Sequence, residues 1–394
     1  MSLIAKNTFI SLGFNAINAC TQMVLFTNIS NTDFGHYALI IGYITILESF
    51  LTIPFGHVLY GNKSTEIEDQ SQKIYALFWI TSLIKIIIYI FIMWQFSEFF
   101  YQFFYIMLFI ISANILSAYN NLNLMNIDLN GSFLFSTFVR GGIVSLSSIS
   151  ALIYGYIFDF GMDVLIFREV LPGFILFLFL AIKNKTINLS LKVTGNDFII
   201  VFRDLIPYYF TLAAERLFMK TPVIVLGYFY SADKAGLFFK IFYLIGLANT
   251  ILSTFHQRIF YADVSNKISK YAELEKIQNK YNYAVIIFLA IISIVSIMLF
   301  YNEFLGFKYN ELAFFIVLIP IMFLQPHMNL LKSLAYSLKQ SYFVLIGYVS
   351  SILIYLCLVY IYRDSEIYQF ALITTMYFFA WITIKLLLRK KYNA

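Results

Sequence analysis

Charge is scarce in this sequence. Asp, Glu, Lys and Arg make up 12% of its 394 residues and hydrophobic residues 61%, whereas an ordinary soluble domain is about 25% charged. That balance places the chain with membrane proteins before any motif is considered. Cysteine is scarcer still: Cys20 and Cys357 lie far apart in apolar stretches, so neither a disulfide framework nor a metal site is expected, and both read as small apolar fillers. Several catalytic signatures are missing as well. Without a Gly-rich loop ending in Lys-Ser or Lys-Thr, the chain is not expected to hydrolyse ATP. It has no Gly-x-Ser-x-Gly elbow and no His-Glu-x-x-His motif, and GNKSTEIEDQSQK, which starts at Gly61, lacks the signature of a major facilitator. No enzyme activity, cofactor, metal or nucleic-acid partner is expected.

What the chain has in abundance is long apolar runs, each near the 20 residues that cross a roughly 30 Å hydrocarbon core as a helix. They predict twelve spans, at about 5–28, 35–60, 73–95, 100–120, 134–157, 162–182, 198–229, 235–260, 277–301, 309–332, 341–361 and 367–388. The first run is broken by Asn15, Asn18 and Gln22 and precedes no small-residue cleavage site, so it reads as a span rather than a signal peptide. Lys63, Lys183, Lys185, Lys192, Lys267, Lys270, Lys276, Lys339 and the C-terminal Arg389, Lys390 and Lys391 fall on one set of connections. The opposite set is mostly acidic and short. The positive-inside rule then places both termini in the cytoplasm. The expected class is an all-α integral membrane protein: residues 1–182 form one six-helix bundle, 183–197 a cytoplasmic linker and 198–394 a second bundle.

The two halves echo each other at an offset of 201 residues. NTDFGHYA from Asn31 leads into the second span and SADKAGLFF from Ser231 into the eighth, so that Asp33, Gly35 and Tyr37 answer to Lys234, Gly236 and Phe238. The same offset takes Glu48 to Asn249, Thr52 to Ser253 and His57 to Arg258. Internal repeats of this kind are the usual construction of secondary transporters.

Polar residues fall on helical stripes. In the first span Asn7, Ser11, Asn15, Asn18 and Gln22 share a face; in the seventh Asp204, Tyr208, Thr211 and Glu215 do the same, with Arg216 and Lys220 beside them. Such a stripe either turns toward a wet cleft or joins helices by hydrogen bonds. Full charges need more than that, since one at the bilayer centre costs roughly 2.5 to 3.5 kcal/mol on insertion scales. Lys85 lies deep in the third span. Arg140, Arg168 with Glu169, and Lys240 lie nearer span ends, where Arg168 and Lys240 could reach the interface by snorkelling. Basic residues outnumber Glu48, Glu169 and Glu215, which favours an anion in any cavity they share. Alternatively Glu215 pairs with Arg216 or Lys220. The histidines are assigned no role.

NTDFGHYALI before the second span, FLFSTFVRG entering the fifth and YSADKAGLFFKIFYL entering the eighth resemble the polysaccharide-specific transporters, typified by O-antigen flippases, of the multidrug/oligosaccharidyl-lipid/polysaccharide flippase superfamily. The resemblance spans the chain in topology, through loose local motifs. It implies two six-helix bundles, pseudo-symmetric about a central cavity that opens alternately to either side. It also implies carriage of an undecaprenyl-pyrophosphate-linked oligosaccharide, an O-antigen or lipopolysaccharide unit for instance, across the bacterial inner membrane. Membrane lipids and the polymerase and chain-length proteins of the same pathway would be its partners.

No family motif can be laid on individual residues here, so the candidate site comes from the residues themselves. Arg216, Lys220, Lys85 and Arg140 are candidates for pyrophosphate, because basic groups and the Arg fork suit phosphate oxygens. Asn15, Asn18, Gln22, Tyr208 and Thr211 are candidates for sugar hydroxyls. Glu48 and Glu215 are candidates for ion coupling or ion pairing. A cation-coupled multidrug exporter would call for acidic excess instead. An integral-membrane polymerase or ligase would call for a sizeable outer loop.

Overall fold

Ten long helices are described in the computed structural model, together with a shorter helical stretch. The structure describes residues 3–52, 67–95, 104–129, 133–184, 195–246, 290, 293–294, 297–298, 311–337, 340–362 and 365–392. The helices are α1 (Leu3–Asn28), α2 (Asn31–Leu51), α3 (Ile67–Gln95), α4 (Phe104–Leu129), α5 (Phe133–Phe158), α6 (Met162–Asn184), α7 (Gly195–Phe229), α8 (232–246), α9 (Leu312–Ser337), α10 (Ser341–Ile361) and α11 (Glu366–Tyr392). Among the described residues nine helices are long and apolar enough to span a bilayer. Helices suit that setting because each satisfies its own backbone where no water can. Most of the ninth predicted span and of the linker at 183–197 lies outside the described residues, as do 53–60 of the second span and 247–260 of the eighth.

Contacts divide the chain into two compact units, one of Met1–Leu25 with Ile40–Ala213, the other of Phe26–Leu39 with Ala214–Ala394. In unit 1, α6 packs on both α4 and α5. The approach to α4 is close at Gly173, where a Cβ would meet the Ala113 carbonyl oxygen and Ser117 Oγ at 2.8 Å. Asn120 in α4 donates from Nδ2 to the Gly173 carbonyl at 2.8 Å, next to Pro172, which lacks the backbone N–H of other residues in α6. Unit 2 repeats this plan, with α11 packing on α9 and α10. Gly347 of α10 admits Ile384 of α11, and Thr374 donates to the Val317 carbonyl at 2.7 Å. Phe218 of α7 fills the space between Tyr348 and Tyr377, with ring centroids 4.8 and 4.7 Å away. Lipid is as apolar as leucine, so close packing and interhelical hydrogen bonds join these helices; such bonds are worth about 0.6 kcal/mol on average.

Helix α3 shows the inversion expected in lipid. Leu83, Ile84, Ile87, Phe91 and Trp94 are exposed, while Ser82, Lys85 and Tyr89 on the opposite face are buried.

The predicted echo is physical at the starts of α2 and α8, both in unit 2. Ser30 Oγ accepts the Asp33 amide N–H at 3.1 Å, and Ser231 Oγ accepts that of Lys234 at 3.3 Å. Each serine is therefore an N-cap that satisfies an otherwise orphaned donor. One turn further on, the two helices touch backbone to backbone. A Cβ on Gly35 would lie 1.6 Å from the Ala232 carbonyl oxygen, and one on Gly236 would lie 1.8 Å from that of Asn31. Each glycine thus meets the residue that answers, at the same offset, to the one its counterpart meets. Only glycine permits so near a crossing.

Candidate functional site

In unit 1, Lys85 projects from the buried face of α3 toward the end of α2. Its Nζ lies 3.0 Å from Glu48 Oε1 and donates to Thr52 Oγ1 at 3.1 Å. Asn114 of α4 donates to the same carboxylate oxygen at 3.2 Å, and the Lys85 ammonium also stands 5.9 Å from the Tyr89 ring centre. Two candidates that the sequence placed in different roles, Lys85 for phosphate and Glu48 for coupling or pairing, are therefore joined in one enclosed ion pair. Neutralising each other is how two charges withstand burial, and each would be strongly destabilising without the other. Arg140, by contrast, is exposed on α5.

The stripe on α1 is half-buried at Asn15 and Asn18 and fully buried at Gln22. The side chain of Asn7 lies outside the described residues. Gln22 Oε1 has no hydrogen-bond partner among the described residues. Asn18 Oδ1 accepts from Ser148 Oγ of α5 at 3.0 Å, and that hydroxyl accepts from Arg168 Nε of α6 at 3.3 Å. Arg168 thus turns inward onto its bundle rather than ending only at the interface. On α7, Tyr208 is half-buried and Thr211 is completely buried; the Asp204 side chain lies outside the described residues. The neighbouring Tyr209, which the polar pattern did not single out, donates its hydroxyl to the Phe50 carbonyl.

In unit 2, Glu215 pairs with Lys332 of α9, whose ammonium reaches both carboxylate oxygens. Arg216 and Lys220 are half-buried and make further contacts within the protein. Lys332 was not among the sequence candidates. The tenth span was expected to end at 332, where a lysine passes for an interfacial residue, but α9 continues to Ser337 and carries Lys332 inside.

Lys240, expected to snorkel, is instead 2% exposed and donates to the carbonyls of Phe26 and Ile29 at 3.1 and 2.8 Å. These carbonyls end α1, and a cation there satisfies orphan acceptors and the negative end of the helix dipole. Its ammonium also lies 4.8 Å from the Phe34 ring centre. Lys240 is a helix cap. Among the described residues no three His, Cys, Asp or Glu side chains converge as a metal site requires.

The chain is similar in structure to a multidrug resistance MATE family transporter of the MOP superfamily solved in its inward-facing conformation. The TM-score is 0.67 at 11% identity, over 98% of this chain and 98% of that one. No protein-family model matches the sequence, and no curated protein does. At so low an identity the likeness is one of fold. It shows that the chain shares that fold, in keeping with the nine apolar helices among the described residues, and assigns no role to any residue.

Proposed function

We propose that the chain is a flippase that carries an undecaprenyl-pyrophosphate-linked oligosaccharide repeat unit, of O antigen or a related surface polysaccharide, across the bacterial inner membrane by alternating access. The fold likeness supports a multidrug exporter equally well, since the structural neighbour is a multidrug resistance transporter. The sign of the charge is what favours the flippase. Glu48 and Glu215 are each paired with a lysine, so a cationic drug would have to displace a lysine to reach either carboxylate. Arg140, Arg168, Arg216 and Lys220 also fall within the predicted spans, where basic residues outnumber the acidic Asp163, Glu169, Asp204 and Glu311 that stand beside those two pairs. An excess of basic groups along a substrate path would raise the local concentration of anions, and arginine offers forked donors to phosphate oxygens.

A deletion strain tests this reading. It should accumulate the lipid-linked repeat unit facing the cytoplasm, lose surface polymer and keep its drug susceptibility. A repeat unit displayed outside, with normal polymer, would rule the flippase out, and hypersensitivity to cationic drugs would favour the exporter. In complementation, Arg216→Ala and Lys220→Ala should each fail at normal protein levels, with Arg216→Lys partly active. Full activity of both Ala variants would remove these residues from the substrate path.

A further inference from the structure

We infer that Arg168 and Ser148 are positioning residues that turn the Asn18 carboxamide into a fixed hydrogen-bond donor for an oxyanion, the pyrophosphate of the transported lipid. The inference rests on the flippase reading and reassigns Asn18 from sugar hydroxyls to phosphate oxygens. A guanidinium has only donors, so at 3.3 Å from Ser148 Oγ the Arg168 Nε–H must be giving its proton to that oxygen. The hydroxyl has one proton of its own and gives it to Asn18 Oδ1 at 3.0 Å. Ser148 thus passes a hydrogen bond on to the carboxamide oxygen, which keeps one further lone pair, and that bond fixes which end of the Asn18 amide faces α5. With the oxygen turned to Ser148, the other end of the Asn18 carboxamide offers two N–H bonds, which suit an acceptor.

Burial favours a fixed relay over a chance contact. Ser148 is 1% exposed, so no water competes for its hydroxyl, and the three residues come from α6, α5 and α1 of one compact unit. In such surroundings a charged donor polarises the hydrogen bonds that follow it, making the Asn18 N–H bonds better donors to an anion than those of a solvated amide. Arg168 acts through Ser148 and need not touch the ligand.

The test measures binding of undecaprenyl pyrophosphate, and separately of inorganic pyrophosphate, to the purified full chain in detergent, with thermal unfolding recorded for every variant. The wild type should bind both. Asn18→Asp keeps the shape but replaces both donors with an anionic acceptor, so it should bind worse than Asn18→Ala. Ser148→Ala should lose about tenfold in affinity, as for one hydrogen bond to a charged acceptor, and Arg168→Lys should recover part of what Arg168→Gln loses. If Asn18→Asp binds like wild type, or Ser148→Ala lowers the unfolding temperature but leaves affinity unchanged, the donor assignment is wrong while the flippase reading stands. Binding of inorganic pyrophosphate alone, with the same order of variants, would keep the donor site and remove the lipid as its ligand. No binding of either probe by the wild type would overturn the donor site.

Discussion

Two buried-charge arrangements with the same chemistry differ in how tightly they are closed. Lys85 and Glu48 in unit 1 have side chains 9% and 13% exposed, whereas Lys332 and Glu215 in unit 2 are 23% and 22% exposed. The first pair is also braced: Thr52 takes a second proton from the ammonium, and Asn114 gives one to the carboxylate. In the second, one ammonium donates to both oxygens of a single carboxylate. An enclosed, braced pair holds its charges at one place, while a half-open pair leaves room for water or another ion to replace a partner. The difference assigns the first pair to holding α2, α3 and α4 together and makes the second the better placed to exchange partners.

Removing one member of the closed pair should have the largest effect. Lys85→Ala leaves the Glu48 carboxylate enclosed without its counter-ion and should cost about 3 to 5 kcal/mol, measured by denaturant unfolding in detergent. Glu48→Gln combined with Lys85→Met should recover most of that loss, since no buried charge then remains. Lys332→Ala should cost less, about 1 to 2 kcal/mol, between the ranges for enclosed and exposed pairs; a loss as large as that of Lys85→Ala would abolish the contrast. Asn114→Ala removes a brace and leaves the pair, and should cost about 1 kcal/mol. Thr52→Val, which keeps the shape but not the acceptor, should cost about 0.5 kcal/mol in the same measurement.

The apolar spans were readable because a bilayer allows few alternatives: the runs beginning at residues 134, 162 and 341 became α5, α6 and α10 nearly as expected. Charges were readable as costly, but their partners were not. Glu48 and Lys85 stand 37 positions apart and Glu215 and Lys332 stand 117 apart, and no periodicity within one helix links residues so distant. Lys240 shows the same limit. Its ligands are carbonyls 211 and 214 positions away, and a backbone carbonyl leaves no mark in a sequence. The stripe on α1 was visible as a face, but the direction of its hydrogen bonds became apparent only once α5 and α6 were set against it.

The glycine crossing explains why the halves still match in so short a window. Where two side chains touch, a change in one can be absorbed by a change in the other, and the two halves are free to drift apart. Gly35 and Gly236 touch main-chain oxygens, which no substitution can trim. Any side chain acquired at either position has no compensating mutation across the crossing. The same holds for the serine at the head of each helix, whose hydroxyl serves a main-chain amide. An ancestral likeness between the halves would therefore be erased last around residues 30–36 and 231–237, where selection acts on the backbone itself.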